Sequence, residues 1–463
     1  MLPVVAIIGR ANVGKSTLFN CLTNSRAALV FDLPGTTIDR NYAIAKIADE
    51  RYILVDTAGI EDRIDKSNIN TNLIIAQINK AIQEATLVLL VMDPKSGITP
   101  EDVMIAKYLR KSNKKIILVI NKIDGYNQET VQLDFFSLGF AEIVTIAAKY
   151  NRGINKLKNE IGQHLDSSIT NNGKLLESGK INSPISVDNA DDKSKDALKV
   201  AIVGQPNVGK STLINNILGE ERVVVQDRPG TTRDSIYIPA TISNQEYLWI
   251  DTAGLRRKVK VKDPLEKFSA IKTLQAISNA IVVILLIDAT KGLVEQDLKL
   301  IDIIVKAGRS LVVAVNKWDL IEVANRKKML KALTTNLEFI DYIDVITISA
   351  LNPKSVKKIF PALLKAYRAA MLSVTTNKLT LLLQQAIQTH QPPLSNGRRI
   401  KLRYAHLGGH LPYRIVIHGN QVESLSNNYK KYLSSFYQKE LNLYGTPVHI
   451  ICKNTNNPYV EKD

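Results

Sequence analysis

A chain of 463 residues carrying 61 Lys/Arg against 44 Asp/Glu, a formal charge of +17, is too long for one compact core. The charge points to a polyanionic partner, nucleic acid or an anionic membrane surface, with a lysine-rich proteome bias as the alternative. Hydrophobic residues at 45% match a soluble globular protein; only two cysteines, Cys21 and Cys452, exclude a disulfide framework, and no apolar run approaches the length of a membrane span.

Residues 4–8 read as a buried strand, which leaves no room before them for a signal peptide. They run into Gly9-Arg10-Ala11-Asn12-Val13-Gly14-Lys15-Ser16, then Thr17 and a helical pattern. Strand, glycine-rich turn and helix form the context in which G-x-x-x-x-G-K-[ST] is a phosphate loop. The glycines let backbone N–H groups point inward at an anion, and the helix N-terminus adds the positive end of its dipole. Lys15 can reach the β- and γ-phosphates, and the Ser16 hydroxyl can ligate Mg²⁺. Next comes Gly35-Thr36-Thr37, where Thr37 is the preferred second hydroxyl for that ion. Asp56-Thr57-Ala58-Gly59 ends a strand; its carboxylate can hold the Mg²⁺ shell while Gly59 N–H meets the γ-phosphate, and loss of that contact on hydrolysis would release the segment after it. Asn121-Lys122-Ile123-Asp124 follows another apolar run.

After a stretch rich in Ser, Asn, Asp and Lys over 166–196, expected to be a flexible polar linker, all four motifs return 195 residues further on. They are Gly204-Gln205-Pro206-Asn207-Val208-Gly209-Lys210-Ser211 with Thr212, Gly230-Thr231-Thr232, Asp251-Thr252-Ala253-Gly254 and Asn316-Lys317-Trp318-Asp319. A constant offset means a duplicated domain. In the second copy Lys210 meets phosphate, and Ser211, Thr232 and Asp251 stand where Ser16, Thr37 and Asp56 do. Strands are expected over 52–56, 87–93, 116–120 and 143–147, and over 200–203, 247–251, 281–288, 311–315 and 343–348. Near-continuous Val/Ile/Leu strands alternating with helices indicate a parallel sheet covered on both faces, with ligand at the carboxyl ends of the strands.

The Asn-Lys-x-Asp motifs indicate the base. Guanine offers N1–H and N2–H₂ donors side by side to a carboxylate, whereas adenine would set a lone pair against Asp124 or Asp319, a mismatch that can decide selectivity. Asn121 and Asn316 would tie the base to the phosphate loop, and the stems of Lys122 and Lys317 would cover its face. After each DTAG stands an apolar residue, Ile60 or Leu255, where Ras-like GTPases carry a water-orienting glutamine. Hydrolysis is therefore expected to be slow or to depend on a cation, a backbone group or a partner, the alternative being sites that only bind. The basic run from Arg256 to Lys262 could let an anionic partner sense the nucleotide state.

Beyond 373 the composition changes again. Helices are expected over 379–390 and 426–442, and strands over 400–407, 413–418 and 448–452. This segment holds eleven Lys/Arg against four Asp/Glu and five of the six histidines, which lack metal-ligand spacing. Arg398, Arg399, Lys401 and Arg403 alternate with apolar residues and are expected to share a face; with Lys430 and Lys431 they are candidate RNA contacts.

The tandem pattern GRANVGKS, GTT, DTAG, NKID, then GQPNVGKS, GTTRD, DTAG, NKWD and a basic C-terminal module closely resembles the Der (EngA) family of bacterial double GTPases. The resemblance implies two P-loop GTPase domains in tandem, each a mostly parallel sheet with helices on both faces, followed by a KH-like α+β domain. The expected limits are 1–165 and 197–373 for the GTPase domains and 374–463 for the KH-like domain. It implies a GTPase binding GTP and GDP with Mg²⁺, cytoplasmic and without stable membrane insertion, expected to be monomeric. It further implies action in assembly of the large ribosomal subunit through nucleotide-dependent docking on ribosomal RNA, and a K⁺ ion held with help from Asn12 and Asn207. An apolar Ile60 or Leu255 is usual in this group. The guanine-flanking pair is Ser349-Ala350 in the second copy and Ala147-Ala148 in the first, and Ile38 stands opposite Arg233. The C-terminal module lacks Gly-x-x-Gly, so it either binds RNA differently or packs against a GTPase domain. An RNA-maturation GTPase and a nucleotide-regulated interaction protein at an anionic membrane are the alternatives.

Overall fold

The computed structural model describes residues 2–23, 29–32, 41–47, 50–57, 81–125, 128–172, 197–219, 224–225, 237–243, 245–250, 270–395 and 398–454. The chain divides into two compact units, Met1–Lys193 and Ser194–Asp463.

The first unit is built on seven strands, β1 (Val4–Ile8), β2 (Leu29–Asp32), β3 (Asn41–Ile47), β4 (Glu50–Asp56), β5 (Leu87–Met92), β6 (Lys115–Ile120) and β7 (Ile143–Thr145). They lie in the order β2-β3-β4-β1-β5-β6-β7. The four expected strands are present and run parallel with β1, whereas β2 and β3 pair antiparallel at one edge. The connection from Ile47 to Glu50 is too short for a parallel crossover, so β3 and β4 must form a hairpin.

Alternation along β1 explains the layers. Val5 and Ile7 join a core with α1 (Lys15–Thr23) on one face. Ala6 and Ile8 join a core on the other face with α2 (Pro100–Arg110) and α3 (Gln128–Phe135). Helix α4 (Ile154–Asn172) returns to the first face through Ile154, Leu157, Ile161 and Leu165. It continues to Asn172, so the start of the segment expected to be a linker is helical. Leu89 and Leu90 point to opposite faces and are both fully buried, each stabilising the unit by about 1.5–3 kcal/mol.

The second unit repeats this path with β8 (Leu198–Gly204), β9 (Val224–Val225), β10 (Tyr237–Ile242), β11 (Gln245–Ile250), β12 (Val282–Asp288), β13 (Ser310–Asn316) and β14 (Val345–Thr347), ordered β14-β13-β12-β8-β11-β10-β9. Its longer helices among the described residues are α5 (Lys210–Leu218), α6 (Ala270–Asn279), α7 (Glu295–Lys306), α8 (Val323–Asn336) and α9 (Ile359–Ala370).

Then comes the C-terminal module: α10 (Thr376–Thr389), a short hairpin of β15 (Leu394–Ser395) and β16 (Arg398–Arg399), and a sheet of β17 (Lys401–His410), β18 (Tyr413–Asn420) and β19 (Val448–Asn454), with α11 (Asn427–Glu440) before β19. Ser426 caps α11 by accepting the Tyr429 N–H at 3.3 Å. Leu379, Leu383, Leu433 and Tyr437 of α10 and α11 bury one face of the sheet, against Ile415 and Ile417.

The module packs against the second sheet and its helices, within the same compact unit. At the start of β13, Leu311 N–H donates to Gly445 O (2.7 Å), and Gly445 N–H donates to Tyr342 O (2.6 Å). The Ser310 and Thr446 hydroxyls meet at 2.8 Å, Tyr413 Oη donates to Leu372 O, and Lys365 lies over the Tyr444 ring at 3.6 Å. Ala369 of α9 belongs to the module's own core. Gly445 (φ 69°) has both backbone groups in this junction, and a Cβ there would sit 2.8 Å from Leu311 O. Gly292 has a similar φ of 71° but faces open space. Gly445→Ala should therefore lower stability by about 1–3 kcal/mol more than Gly292→Ala. Equal shifts of the two variants in chemical denaturation would reject the docking role.

Candidate nucleotide-binding sites

Each loop 9–14 and 204–209 leaves the carboxyl end of the central strand and enters a helix whose first residue is the lysine, Lys15 of α1 or Lys210 of α5. The first N–H groups of a helix have no partner within it, so they face the loop's hollow together with the positive dipole end. Lys15 is buried, its Nζ donating to Gly9 O and Arg10 O at 2.6 Å each. Lys210 makes the same pair, to Gly204 O (2.9 Å) and Gln205 O (2.6 Å). Asn12 and Asn207 adopt left-handed backbone at φ 62° and 63°, which turns the loop over.

A second loop is fastened to the first by one side chain. Asn121 Nδ2 donates to Val13 O at 2.9 Å, and its Oδ1 accepts Ala148 N–H at 3.0 Å. Asn316 repeats this with Val208 O (2.7 Å) and Ala350 N–H (2.8 Å). Both asparagines are 2% exposed, so these bonds run in a dry interior. The sequence places Asn121-Lys122-Ile123-Asp124 and Asn316-Lys317-Trp318-Asp319 far from the phosphate loops in chain order; the fold brings them together. Ala148 is the counterpart of Ala350, so Ala147-Ala148 corresponds to Ser349-Ala350 despite the broken offset. Ser349 N–H is held by Ser355 Oγ at 3.0 Å. Helices α1 and α5 are pinned to the same loops, by Cys21 Sγ donating to Ala148 O (3.1 Å) and Asn216 Nδ2 donating to Ala350 O (3.0 Å).

Asp56, 1% exposed, ends β4 beside Ile7 of β1, and Thr57 Oγ1 donates to Ile7 O at 2.7 Å. Ser16 and Thr17 are exposed on the first turn of α1, and Ser211 and Thr212 are half-buried on α5. A serine hydroxyl and a carboxylate are hard oxygen donors suited to Mg²⁺, so Ser16 with Asp56 could hold that ion beside a phosphate. Thr37, Ala58, Gly59 and Ile60 lie outside the described residues, as do Thr232, Asp251, Thr252, Ala253, Gly254, Leu255 and the 256–262 basic run.

Four carboxylates at these sites escape motif reading. Asp93 and Asp288 accept the ammonium of the motif lysine, Lys122 at 2.8 Å and Lys317 at 2.5 Å. Lys122 Nζ also donates to Asn12 O at 2.6 Å, so its stem is stretched toward the phosphate loop. Asp102 accepts Arg10 Nε at 3.2 Å while accepting Thr99 N–H, which caps α2. Asp297 does both for the second copy, accepting Gln205 Nε2 at 3.0 Å and Val294 N–H at 3.3 Å before α7. The signal was available: each pair keeps the offset of 195.

In the C-terminal module the basic residues do not form one alternating face. The run is broken at Ile400, between β16 and β17, and a register shift between Leu402 and Tyr404 puts Arg403 on a bulge, so strict alternation fails. Arg399, Lys401 and Arg403 are exposed, while Lys430 and Lys431 ride on α11, which covers the opposite face from Lys401. Among the described residues no group of histidine, cysteine and carboxylate side chains could hold a metal, and no helix is long and apolar enough to cross a membrane.

A glycine-rich loop at a helix N-terminus, fastened to an Asn-Lys-x-Asp loop and set at the carboxyl ends of a doubly covered sheet, defines a P-loop GTPase domain, and the chain has two with a KH-like domain behind them. Family models agree: "50S ribosome-binding GTPase" matches residues 4–122 and 199–317, and "KH-domain-like of EngA bacterial GTPase enzymes, C-terminal" matches 373–453. A third, the GTP-binding domain of elongation factor Tu, matches 266–369. The chain is 46% identical to GTPase Der of Coxiella burnetii over 459 residues, 99% of each chain, and 48% identical to GTPase Der of Legionella pneumophila over 462 residues, 100% of this chain and 95% of that one. The chain belongs to the GTPase Der family, and it is a GTP-binding protein of that family.

Two consequences can be measured. Removing the Asn316 carboxamide leaves the buried Val208 carbonyl and Ala350 N–H without it, so Asn316→Ala should cost about 2–4 kcal/mol locally. Amide exchange at Ala350 should speed up accordingly, and unchanged protection would contradict the role. Burial by itself raises the Asp288 carboxyl, but hydrogen bonds from Lys317 and Thr290 outweigh it and hold the group below its ordinary value. The stability it contributes is thus complete above the unfolded value of about 3.9 and is lost as pH falls through the lower folded value. The denaturation midpoints of the wild type and Asp288→Asn, separated at about pH 6, should converge below about pH 4; a gap that persists in acid would rule this out.

Proposed function

We propose that this chain hydrolyses GTP at two sites and acts in assembly of the large ribosomal subunit, docking on ribosomal RNA in a manner that depends on its nucleotide. The observation that carries the nucleotide half is the carboxamide of Asn121 and Asn316, which holds a base-side loop against a phosphate-side loop in both copies. The ribosomal half is supported by the net charge of +17 and by the description of the family model matched twice.

In this reading, residues 9–17 and 204–212 wrap the phosphates. Lys15 and Lys210 meet the β- and γ-oxygens, where a charge-assisted contact stabilises the charge that develops on phosphoryl transfer. Asp124 and Asp319 accept the N1–H and N2–H₂ of guanine, Lys122 and Lys317 flank its plane, and Ala148 and Ala350, with Ser349, close its O6 side. Ser16, Thr37 and Asp56, and Ser211, Thr232 and Asp251, would hold Mg²⁺, which would supply positive charge to offset that of the phosphates. Asn12 and Asn207 would contribute to a K⁺ site. With Ile60 and Leu255 unable to orient water, intrinsic turnover is slow. The domain limits that fit are 1–165, 197–373 and 374–463, and the protein acts in the cytoplasm as a ribosome-associated monomer.

The base reading is tested by Asp319→Asn, which should move the second site from guanine toward xanthine nucleotides; undiminished GTP affinity would defeat it. Lys15→Ala and Lys210→Ala should each weaken one site about 10- to 150-fold. A titration of either variant that still counts two equal sites would remove the assignment. Replacing K⁺ by Na⁺ should slow turnover in at least one domain. Sedimentation of ribosomal particles with GDP, GTP and a non-hydrolysable analogue tests the cellular half: nucleotide-dependent association with large-subunit particles is expected, and association with anionic vesicles instead would favour a membrane role.

A further inference from the structure

The sheet of the C-terminal module has a second face. Register places Lys401, Tyr404 and His406 of β17, His418 and Arg414 of β18, and Lys453 and His449 of β19 on that face, opposite the one buried by α10 and α11. Its two ends differ. At one end His449 is half-buried and donates from Nε2 to Val305 O, the penultimate residue of α7 in the second GTPase domain, at 3.2 Å. At the other end three rings stack. Tyr404 and His418 are cross-strand partners with centroids 4.6 Å apart and planes 4° apart. His406 lies beside this pair, 5.1 Å from His418 with planes 26° apart and 6.4 Å from Tyr404 with planes 28° apart. Tyr404 is 38% exposed, and the exposed ammonium groups of Lys401 and Lys453 flank the stack in the same and adjacent strands. No carboxylate occurs among the paired residues of this face.

We infer that the Tyr404–His418–His406 stack is a platform for unpaired RNA bases, with Lys401 and Lys453 meeting the adjoining phosphates. The inference rests on the ribosomal RNA reading above and names the surface. Flat rings offer a π-face to a base, and stacking does not depend on which base it is. Flanking lysines attract the backbone, and a face without carboxylates does not repel it. Burial first, then His406 and Lys453, lower the His418 pKa, which disfavours charge on the imidazole beside Tyr404. A duplex cannot use such a surface, because its bases are already stacked, whereas splayed single strands can. The platform also supplies what the missing Gly-x-x-Gly would otherwise have provided, a grip on a single strand.

The test uses the full chain and a short single-stranded RNA carrying 2-aminopurine, with a blunt duplex of the same length beside it. The single strand should bind tighter than the duplex, with its fluorescence quenched. Tyr404→Ala should weaken the single strand about 5- to 150-fold and lose the quenching, while Tyr404→Phe keeps both. Lys401→Gln should lower the salt slope of binding by about one phosphate contact. Retained nucleotide binding checks that each variant is folded. Equal affinity of Tyr404→Ala and wild type, or preference for the duplex, overturns the platform. So does a photo-cross-link from position 404 back into the chain that RNA does not compete away. If large-subunit particles still bind the wild type when the oligonucleotide does not, the platform falls and the ribosomal reading stands; if neither binds, both fall.

Discussion

One carboxamide per domain organises each nucleotide site. Asn121 and Asn316 offer an N–H to the phosphate loop and an oxygen to the loop beyond the last long strand, so two segments distant in sequence become one rigid frame. The arrangement also explains the second glycine of each phosphate loop. At Gly14 and Gly209, with φ of 95° and 100°, a Cβ would collide with that carboxamide. The glycine therefore serves the asparagine as much as the anion: a side chain there would push the base loop away from the phosphate loop.

Around that frame the carboxylates divide the work. Asp93 and Asp288 hold the motif lysines Lys122 and Lys317, and Asp102 and Asp297 steady the second residue of the glycine-rich loop from a helix N-terminus. Burial raises the Asp297 carboxyl, with the Val294 N–H and the Gln205 amide opposing that rise. A carboxylate that both caps its helix and grips the loop fixes the distance between them. Such preorganisation is how a loop of short side chains keeps its N–H groups converged on one point.

The second GTPase domain is also a mount. Strand β13 begins at the junction with the KH-like domain, at Ser310 and Leu311, and ends at Asn316 in the nucleotide frame, a span of about 20 Å at strand rise. Helix α7 runs between the same two places, from Asp297 near Gln205 to Val305 under His449. The buried strand β13 and the half-buried helix α7 thus connect the loop that would sense nucleotide to the domain that would meet RNA, and the Tyr404–His418 pair lies at the end of the KH-like sheet away from this junction.

The chain's own order of residues was enough to determine the duplication, the strands that end in motifs and the lysines and asparagines of those motifs, because short-range patterns of glycine, apolar runs and fixed spacing carry that information. It was also enough for the two long helices and the three-stranded sheet of the C-terminal domain to within a few residues, though not for the short hairpin of β15 and β16. It shows Asp93, Asp102, Asp288 and Asp297 only as pairs 195 apart, without their roles, since an aspartate at a strand end or in a helix's first turn looks like an ordinary turn or cap until its partner is beside it. Nor did it show that the basic run from Arg398 to Arg403 breaks at Ile400 and bulges, or that Tyr404, His406 and His418 stack. Pairing register joins residues that sequence separates, and a single extra residue in a strand reassigns faces; both are settled only when the sheet closes.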